Sequence, residues 1–564
     1  MSGQAKWQLY PENPSLATKL GSHLGVSPLI AQLLLNRNIR SLAQAQRFLN
    51  PDPTQTENFP ETLLQAATEL ILKTIQKNGR ILLYGDYDVD GMTSTAIMMT
   101  TLEAAGAKVS YYIPHRFTEG YGLGEPFIRT LIANPVDLLI TLDCGISNAS
   151  ELTLLKRHAP TSVIIFDHHT IPENTPPADV VLNPKALPDT SPLYGLCTAG
   201  IAYKFAEYFC ESAKLDFDPN SLLDLAAIGT IADVAPLIGE NRVITKTGLP
   251  LVLKNRRLGL SALLEAADYK GKRITTRDVG FTIAPRLNAA GRIAHAKMGV
   301  ELLLCATHED AANQAFQLQK LNEERQYLGQ VLLQEATHAV ETSQQDWPVL
   351  VLAGKNWHSG IIGITASQLC RKYQKPVVMI SYTDDTARGS ARSFGQINIY
   401  QLLKSCESYF DTFGGHKEAA GFSLQPAKIP AFQRALCESA ATFITPNDLI
   451  QLLDIDAAIT PDQLSLDHAK ALRDLEPFGA GNAMPLFYCD QLKPLDYKVV
   501  GNGQHLKATF TDKTGKKVID AIGFGLASKL TALQKPKVEL AFGLEINEWQ
   551  GTTLPQLQLV DIKS

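Results

Sequence analysis

The sequence predicts an α/β protein of several domains, and three observations carry that expectation. The chain has 564 residues, more than one hydrophobic core accommodates, so about three to four domains are expected. Short apolar runs, ILLYGD at 81–86, VDLLITLDCG at 136–145, SVIIFDHH at 162–169 and VVLNP at 180–184, alternate with helical stretches; such runs read as strands buried on both faces of a doubly wound parallel sheet. Downstream, PVLVLAG, NWHSGIIGITASQLCRKY and KPVVMIS resume the alternation in a smaller second α/β unit that runs to about residue 445.

Taken in order, residues 1–60 form a Pro-punctuated N-terminal segment with one helical stretch, Leu29 to Leu49, and no nameable chemistry. Residues 61–304 hold the first α/β unit. After about residue 305 the chain reads HEDAANQAFQLQKLNEERQYLGQVLLQEATHAVETSQQD, whose one breaker is Gly329; that length predicts a connecting helix over 305–345, with a two-helix hairpin as the alternative. The second unit spans 346–445. In 446–564, YKVVGNGQHLKATFTD and KKVIDAIGFG alternate strand and turn residues and predict a small antiparallel barrel or sandwich.

Composition narrows the function. A formal net charge of -5 makes any polyanion site a local patch. The eight cysteines form no C-x-x-C pair, which argues against zinc ribbons and disulfide frameworks and fits a reducing compartment. No apolar run approaches the ~18–20 residues of a membrane span, and MSGQAKWQLYPENPS lacks the pattern of a signal peptide. A cytoplasmic protein without a membrane partner is expected.

The most specific local feature is Tyr84-Gly85-Asp86-Tyr87-Asp88-Val89-Asp90-Gly91, three carboxylates at alternate positions directly after a buried strand. Like charges this close repel in a desolvated cleft, and a divalent cation is the simplest compensator. An EF-hand loop opens the same way but needs Glu at its twelfth position, here Ile97. Plain capping of the following helix is the bland alternative. Asp143 ends a second strand, Asp167, His168 and His169 end a third, and Asp233 closes a small-residue helix. Strand ends of an open α/β sheet converge on one crevice. Carboxylates with one or two imidazoles suit Mn²⁺ or Mg²⁺ better than zinc or calcium, and a shared carboxylate bridging two ions suits hydrolysis of a phosphate ester.

GDYDVDG, LDCGIS, DHH and ADVAPL, in this order, resemble the motifs of the DHH phosphoesterase superfamily. APRLNAAGR (284–292), NWHSGIIGI (356–364), ARGSARS (387–393) and FGGHKEAAGF (413–422) resemble its RecJ branch of single-stranded-DNA exonucleases. The resemblance spans about residues 70 to 560. It implies a DHH lobe and a smaller DHHA1 lobe joined by the long helix, plus an OB-like barrel. The implied activity is 5′→3′ degradation of single-stranded DNA to mononucleotides by two-metal-ion hydrolysis, in repair and recombination. Implied partners are a single-stranded-DNA-binding protein and a RecQ-type or RecBCD-like helicase. Asp88, Asp90, Asp143, His168 and Asp233 are the implied Mn²⁺ or Mg²⁺ ligands, with Asp143 as bridge; Asp86 and His169 act on the ions directly or through a neighbour, and Asp167 holds a histidine tautomer. At 191–200 the chain reads SPLYGLCTAG where an Ala-Ala-Gly stretch is expected; Cys197 and Thr198 lie outside the four acidic motifs, so the departure puts none of the catalytic assignments in doubt. Two alternatives stand: a DHH phosphodiesterase acting on short oligonucleotides or cyclic dinucleotides, and a non-catalytic replisome scaffold.

Phosphates need positive partners. Residues 254–292 carry nine bases, Lys254, Arg256, Arg257, Lys270, Lys272, Arg273, Arg277, Arg286 and Arg292, against three acids, Glu265, Asp268 and Asp278, with a solvated face the expectation for Arg256 and Arg257. Arg286, Asn288 and Arg292, among small neighbours, are candidates for phosphate contact. His358 precedes a helix whose N-terminus suits an anion. Arg388, Ser390, Arg392 and Ser393, and Gly414, Gly415 and His416, offer donors on backbone expected to be flexible or Gly-rich; by resemblance this lobe clamps phosphates over the metals, and Arg116 grips the 5′ end. Lys493, Lys498, Lys507, Lys513, Lys516 and Lys517 beside Tyr497, His505 and Phe510 suit sequence-tolerant strand binding, with inward packing of the aromatics as the alternative.

Overall fold

A computed structural model describes residues 5–254, 257–342, 347–535, 537–549 and 552–564. The first α/β unit is a five-stranded, all-parallel sheet of Arg80–Gly85 (β1), Lys108–Tyr112 (β2), Leu138–Leu142 (β3), Ser162–Phe166 (β4) and Val180–Leu182 (β5), in the order β2-β1-β3-β4-β5. Every residue of β3 is buried, as expected for a strand covered on both faces. β2 escapes the apolar-run criterion because it is an edge strand carrying Lys108 and Ser110.

Val89–Ala104 (α1) leaves β1 buried almost all round. Its polar residues survive burial by bonding back along the helix: Thr93 Oγ1 donates to the Val89 carbonyl at 2.7 Å and Thr95 Oγ1 to that of Gly91 at 2.7 Å. Thr198–Ser212 (α2) and Leu223–Ala232 (α3) pack against it. Their approach requires Gly229, where a Cβ would meet the Thr93 hydroxyl at 2.4 Å and the Ala199 Cβ at 2.5 Å. Ala284–Ile293 (α4) follows, continuing a short π-helical turn.

Chain contacts divide the protein into two units, one of residues 15–322 and 470–484, the other of residues 1–14, 323–469 and 485–564. His308–Thr342 (α5) is one continuous helix of 35 residues, not a hairpin, and begins in one unit and ends in the other. The second unit holds a five-stranded mixed sheet of Leu350–Lys355 (β6), Val377–Tyr382 (β7), Ala387–Arg392 (β8), Phe410–Gly415 (β9) and Ala419–Leu424 (β10), ordered β9-β10-β8-β7-β6, with Ile362–Tyr373 (α6) between β6 and β7. It also holds a seven-stranded sheet from the C-terminal segment.

Three expectations need correction. Leu29 to Leu49 is two helices, Pro28–Asn36 and Leu42–Leu49, because Asn38 turns left-handed (φ 60°) and Ser41 opens the second with a capping box. The C-terminal sheet is not wholly antiparallel: Val518–Gly523 pairs in parallel with Thr552–Lys563, and Ala457–Ala458 with Phe487–Cys489. ARGSARS is no flexible loop, since β8 is bonded on both sides, to β7 and β10.

Candidate metal centre

The strand order reverses direction between β1 and β3, and at such a switch point the carboxyl ends of the strands open a crevice. The acids stand in that crevice in lateral register: the Asp86 N–H bonds the Leu142 carbonyl (3.1 Å), that of Asp143 the Phe166 carbonyl (2.9 Å), and that of Asp167 the Leu182 carbonyl (3.2 Å). The ladder therefore continues one residue past the strands and fixes the spacing of the carboxylates. Gly91 lets the Asp86–Asp90 turn close, since a Cβ there would lie 2.5 Å from the Asp86 carbonyl oxygen. Asp143 has a left-handed backbone (φ 67°), and so does Val234 (φ 60°) directly after Asp233; a β-branched residue in that region is strained.

Asp88 caps α1, accepting the Gly91 N–H at 3.1 Å, so the capping alternative holds for this acid while leaving oxygen capacity on its carboxylate. Asp90, in the first turn, accepts the N–H of Thr198 and of Ala199, each at 2.7 Å. Asp143 Oδ1 accepts the Thr198 hydroxyl at 3.1 Å and lies 3.3 Å from His168 Nε2. His168 also faces Asp90 Oδ2 at 3.9 Å and, through Nδ1, Asp233 Oδ2 at 3.8 Å. His169 Nδ1 donates to Asp167 Oδ1 at 2.7 Å, which sets its tautomer, and Asp167 Oδ2 accepts the Ile146 N–H at 3.0 Å.

Three groups each have ligand atoms within 4.8 Å of one another, two of them sharing Asp143: Asp143, His168 and His169; Asp86, Asp88 and Asp143; and, separately, Asp90, Cys197 and Asp233. Burial pushes the Asp86, Asp90 and Asp143 carboxyls upward, and adjacent carboxylates add to the shift at Asp86 and Asp143. Burial and then Asp90 and Asp88 push Asp233 up to about 9. Burial lowers His168 against the pull of Asp90. It also opposes charge on His169, but the Asp167 hydrogen bond and charge prevail and raise it. Asp86 Oδ1 is buried with no hydrogen-bond partner, an uncompensated acceptor in a low-dielectric site. A divalent cation would supply the missing charge and partner, and a set of carboxylates with imidazole fits Mn²⁺ or Mg²⁺.

Two contributions were not legible in the motifs. Cys197 and Thr198, outside the acidic motifs in sequence, stand inside the cluster: α2 directs its first N–H groups at Asp90, and Cys197 lies beside Asp90 and Asp233. Tyr121 donates its hydroxyl to the Asp143 carbonyl (3.2 Å) and lies 3.1 Å from His169 Nδ1.

The phosphate candidates divide. Arg116 stacks its guanidinium 4.8 Å from the Tyr87 ring centroid and eases the charge of Asp86. α4 is pressed onto the acidic turn, for a Cβ on Gly291 would lie 2.6 Å from the Tyr87 carbonyl oxygen, and Asn288 and Arg292 are one turn apart on it. Arg286 is turned elsewhere, to the Gln319 side chain and the Thr282 carbonyl, both at 2.7 Å. Arg257 is not on a solvated face but pairs with buried Asp224 at 3.0 Å, and Arg256 lies outside the described residues.

In the other unit Arg392 bonds Ser390 Oγ (3.0 Å) and Ser367 Oγ (3.2 Å), while the Ser393 hydroxyl is taken by the Ile397 carbonyl. His358 Nδ1 accepts the Gly360 N–H (3.2 Å), and exposed His416 pairs with Glu418 (2.8 Å) beyond Gly414 and Gly415 of β9. Phe510 is fully buried, the inward alternative.

Comparison with known proteins extends the geometry. Residues 80–230 match the model of the DHH family N-terminal domain, 346–442 the DHHA1 domain and 455–561 the RecJ OB domain. The chain is 32% identical to the single-stranded-DNA-specific exonuclease RecJ of Bacillus subtilis, over 100% of this chain and 71% of that protein, and 32% identical to that of Haemophilus influenzae, over 96% and 97%. The crystal structure of RecJ from Thermus thermophilus in complex with Mn²⁺ superposes with a TM-score of 0.85 at 31% identity, covering 99% of this chain and 79% of that one. The corresponding Mg²⁺ complex gives 0.79 at 30%, covering 99% and 78%. No described helix is long and apolar enough to cross a membrane. Likeness that runs through all three matched domains and the full length of the chain places it: the chain belongs to the RecJ family of single-stranded-DNA-specific exonucleases.

Proposed function

We propose that the chain removes mononucleotides from the 5′ end of single-stranded DNA by hydrolysis at a pair of Mn²⁺ or Mg²⁺ ions. The observation that carries this is the sharing of Asp143 between two of the three ligand groups, the position a bridging carboxylate takes. Asp88, Asp90, His168 and Asp233 complete the set, with Asp86 and His169 beside it. Bound there, the ions would neutralise phosphate charge and make water a stronger nucleophile. Asp167 supports His169 by fixing its tautomer, and the Tyr121 hydroxyl supports the Asp143 turn.

Asn288 and Arg292 are the phosphate contacts nearest the acidic turn, Arg116 holds the terminal phosphate, and Arg286 acts through α5. His358, Ser390, Arg392, Ser393, Gly414, Gly415 and His416 form the second lobe's phosphate surface, and the C-terminal domain of 446–564 holds the single strand. Polarity and the role in repair and recombination rest on the family. So do a cytoplasmic location and work alongside a single-stranded-DNA-binding protein and a helicase.

The test is digestion of one oligonucleotide labelled at either end, with Mn²⁺, Mg²⁺ or chelator. Mononucleotide released first from the 5′ label, and none in chelator, is expected. Release first from the 3′ label, or cleavage in chelator, overturns the proposal.

A further inference from the structure

We infer that Thr198 is a positioning residue that presets Asp143 and Asp90 for the divalent ions, which rests on the reading of those acids as ion ligands. Thr198 is fully buried at the first position of α2. Its N–H donates to Asp90 Oδ2 at 2.7 Å and its hydroxyl to Asp143 Oδ1 at 3.1 Å. One residue thus ties together two carboxylates that arrive from different segments, the first turn of α1 and the end of β3. Ala199 takes the other oxygen of Asp90 at 2.7 Å.

The two ties differ in what supports them. Asp90 is held by backbone N–H groups of a 15-residue helix, which any residue type at 198 and 199 other than proline supplies. Asp143 depends on the side chain at 198. Without a donor there, its carboxylate faces Asp86 and Asp88 within 4.8 Å, and like-charge repulsion favours rotation out of the crevice. A hydroxyl is suited to the task, since it engages one lone pair of Oδ1 and leaves the rest of the carboxylate for ions. It also adds no charge to a site whose cations must be attracted. Neighbouring donors that orient a ligand commonly carry about ten- to hundredfold in metal affinity, and that is the range expected here.

The experiment is Mn²⁺ titration of the full chain, followed by the electron paramagnetic resonance of free Mn²⁺, for the unaltered protein, Thr198→Val, Thr198→Ser and Asp143→Asn. Steady-state cleavage and melting in chelator are measured alongside. Thr198→Val keeps shape and β-branching, so its melting temperature in chelator should stay close to that of the parent. Its Mn²⁺ affinity should fall about tenfold or more, with kcat reduced at subsaturating metal and KM for DNA unchanged, and Thr198→Ser should restore both. If Thr198→Val binds Mn²⁺ as tightly as the parent while Asp143→Asn does not, the inference fails and the metal reading stands. If Asp143→Asn also binds as the parent does, the metal reading itself fails. Should Thr198→Val not fold, Thr198→Ser against Thr198→Ala decides: equal Mn²⁺ affinity in both overturns the inference.

Discussion

Asp143→Asn should give a protein that is more stable without metal and inactive with it. Asparagine matches the aspartate in shape, tolerates the left-handed backbone found here (φ 67°), and can still accept the Thr198 hydroxyl. What it removes is charge. With partner atoms within 4.8 Å, each like-charge pair costs about 3–4 kcal/mol at an effective dielectric near 20. The carboxyl escapes by holding its proton, which costs ~1.4 kcal/mol for each pH unit above its ordinary value. The folded value is raised by burial and by Asp90, Asp88 and Asp86. The stability of the metal-free protein is therefore full below the ordinary carboxylate range and lost as pH rises through the raised value.

The asparagine advantage is accordingly small near the ordinary carboxylate value and grows upward towards the cost of one like-charge pair, about 3–4 kcal/mol, or on the order of 5 °C in melting temperature for a unit of this size. Differential scanning fluorimetry in chelator at acid and alkaline pH reads the shift, and cleavage of a labelled strand reads the activity, expected to fall ~10²–10³-fold with the loss of the proposed bridging charge. A variant that melts below the parent at alkaline pH, or that retains more than a few per cent of activity, would refute the reasoning.

Three further outcomes are expected. Gly229→Ala forces a Cβ to within 2.5 Å of the Ala199 Cβ; it should cost ~1–3 kcal/mol by overpacking and weaken Mn²⁺ binding by displacing Asp233, as melting curves with and without metal will show. Mn²⁺ at a hundredfold over its neutral-pH dissociation constant should stabilise the protein by ~2.7 kcal/mol, and at that same fixed concentration the gain should increase with pH towards 9, where Asp233 sheds its proton and the affinity rises. Arg292→Ala should flatten the slope of log affinity for single-stranded DNA against log salt by about one unit, measured by fluorescence anisotropy, whereas an unchanged slope returns Arg292 to a structural role.

The sequence displayed the candidate ligands clearly because the physics that buries a parallel strand also ends it. The apolar runs before Asp86, Asp143 and Asp167 are visible as runs, and the acids that close them align because the ladder continues through their own N–H groups. β2 stayed hidden because an edge strand keeps Lys108 and Ser110. Thr198 and Ala199 stayed hidden for a different reason: they serve Asp90 through backbone N–H groups across 108 and 109 residues of chain, and no side-chain pattern records that. Tyr121 reaches Asp143 by its carbonyl, equally silent in sequence. Charge counting misled at Arg257, whose partner Asp224 lies 33 residues away on α3.

The most direct measurement is anomalous diffraction from crystals of the chain grown with Mn²⁺. Two peaks about 3.5–4 Å apart, sharing Asp143 and flanked by Asp88, Asp90, His168 and Asp233, are expected. Peaks lying away from these side chains, or a cluster that draws no ion at millimolar Mn²⁺, would contradict the account.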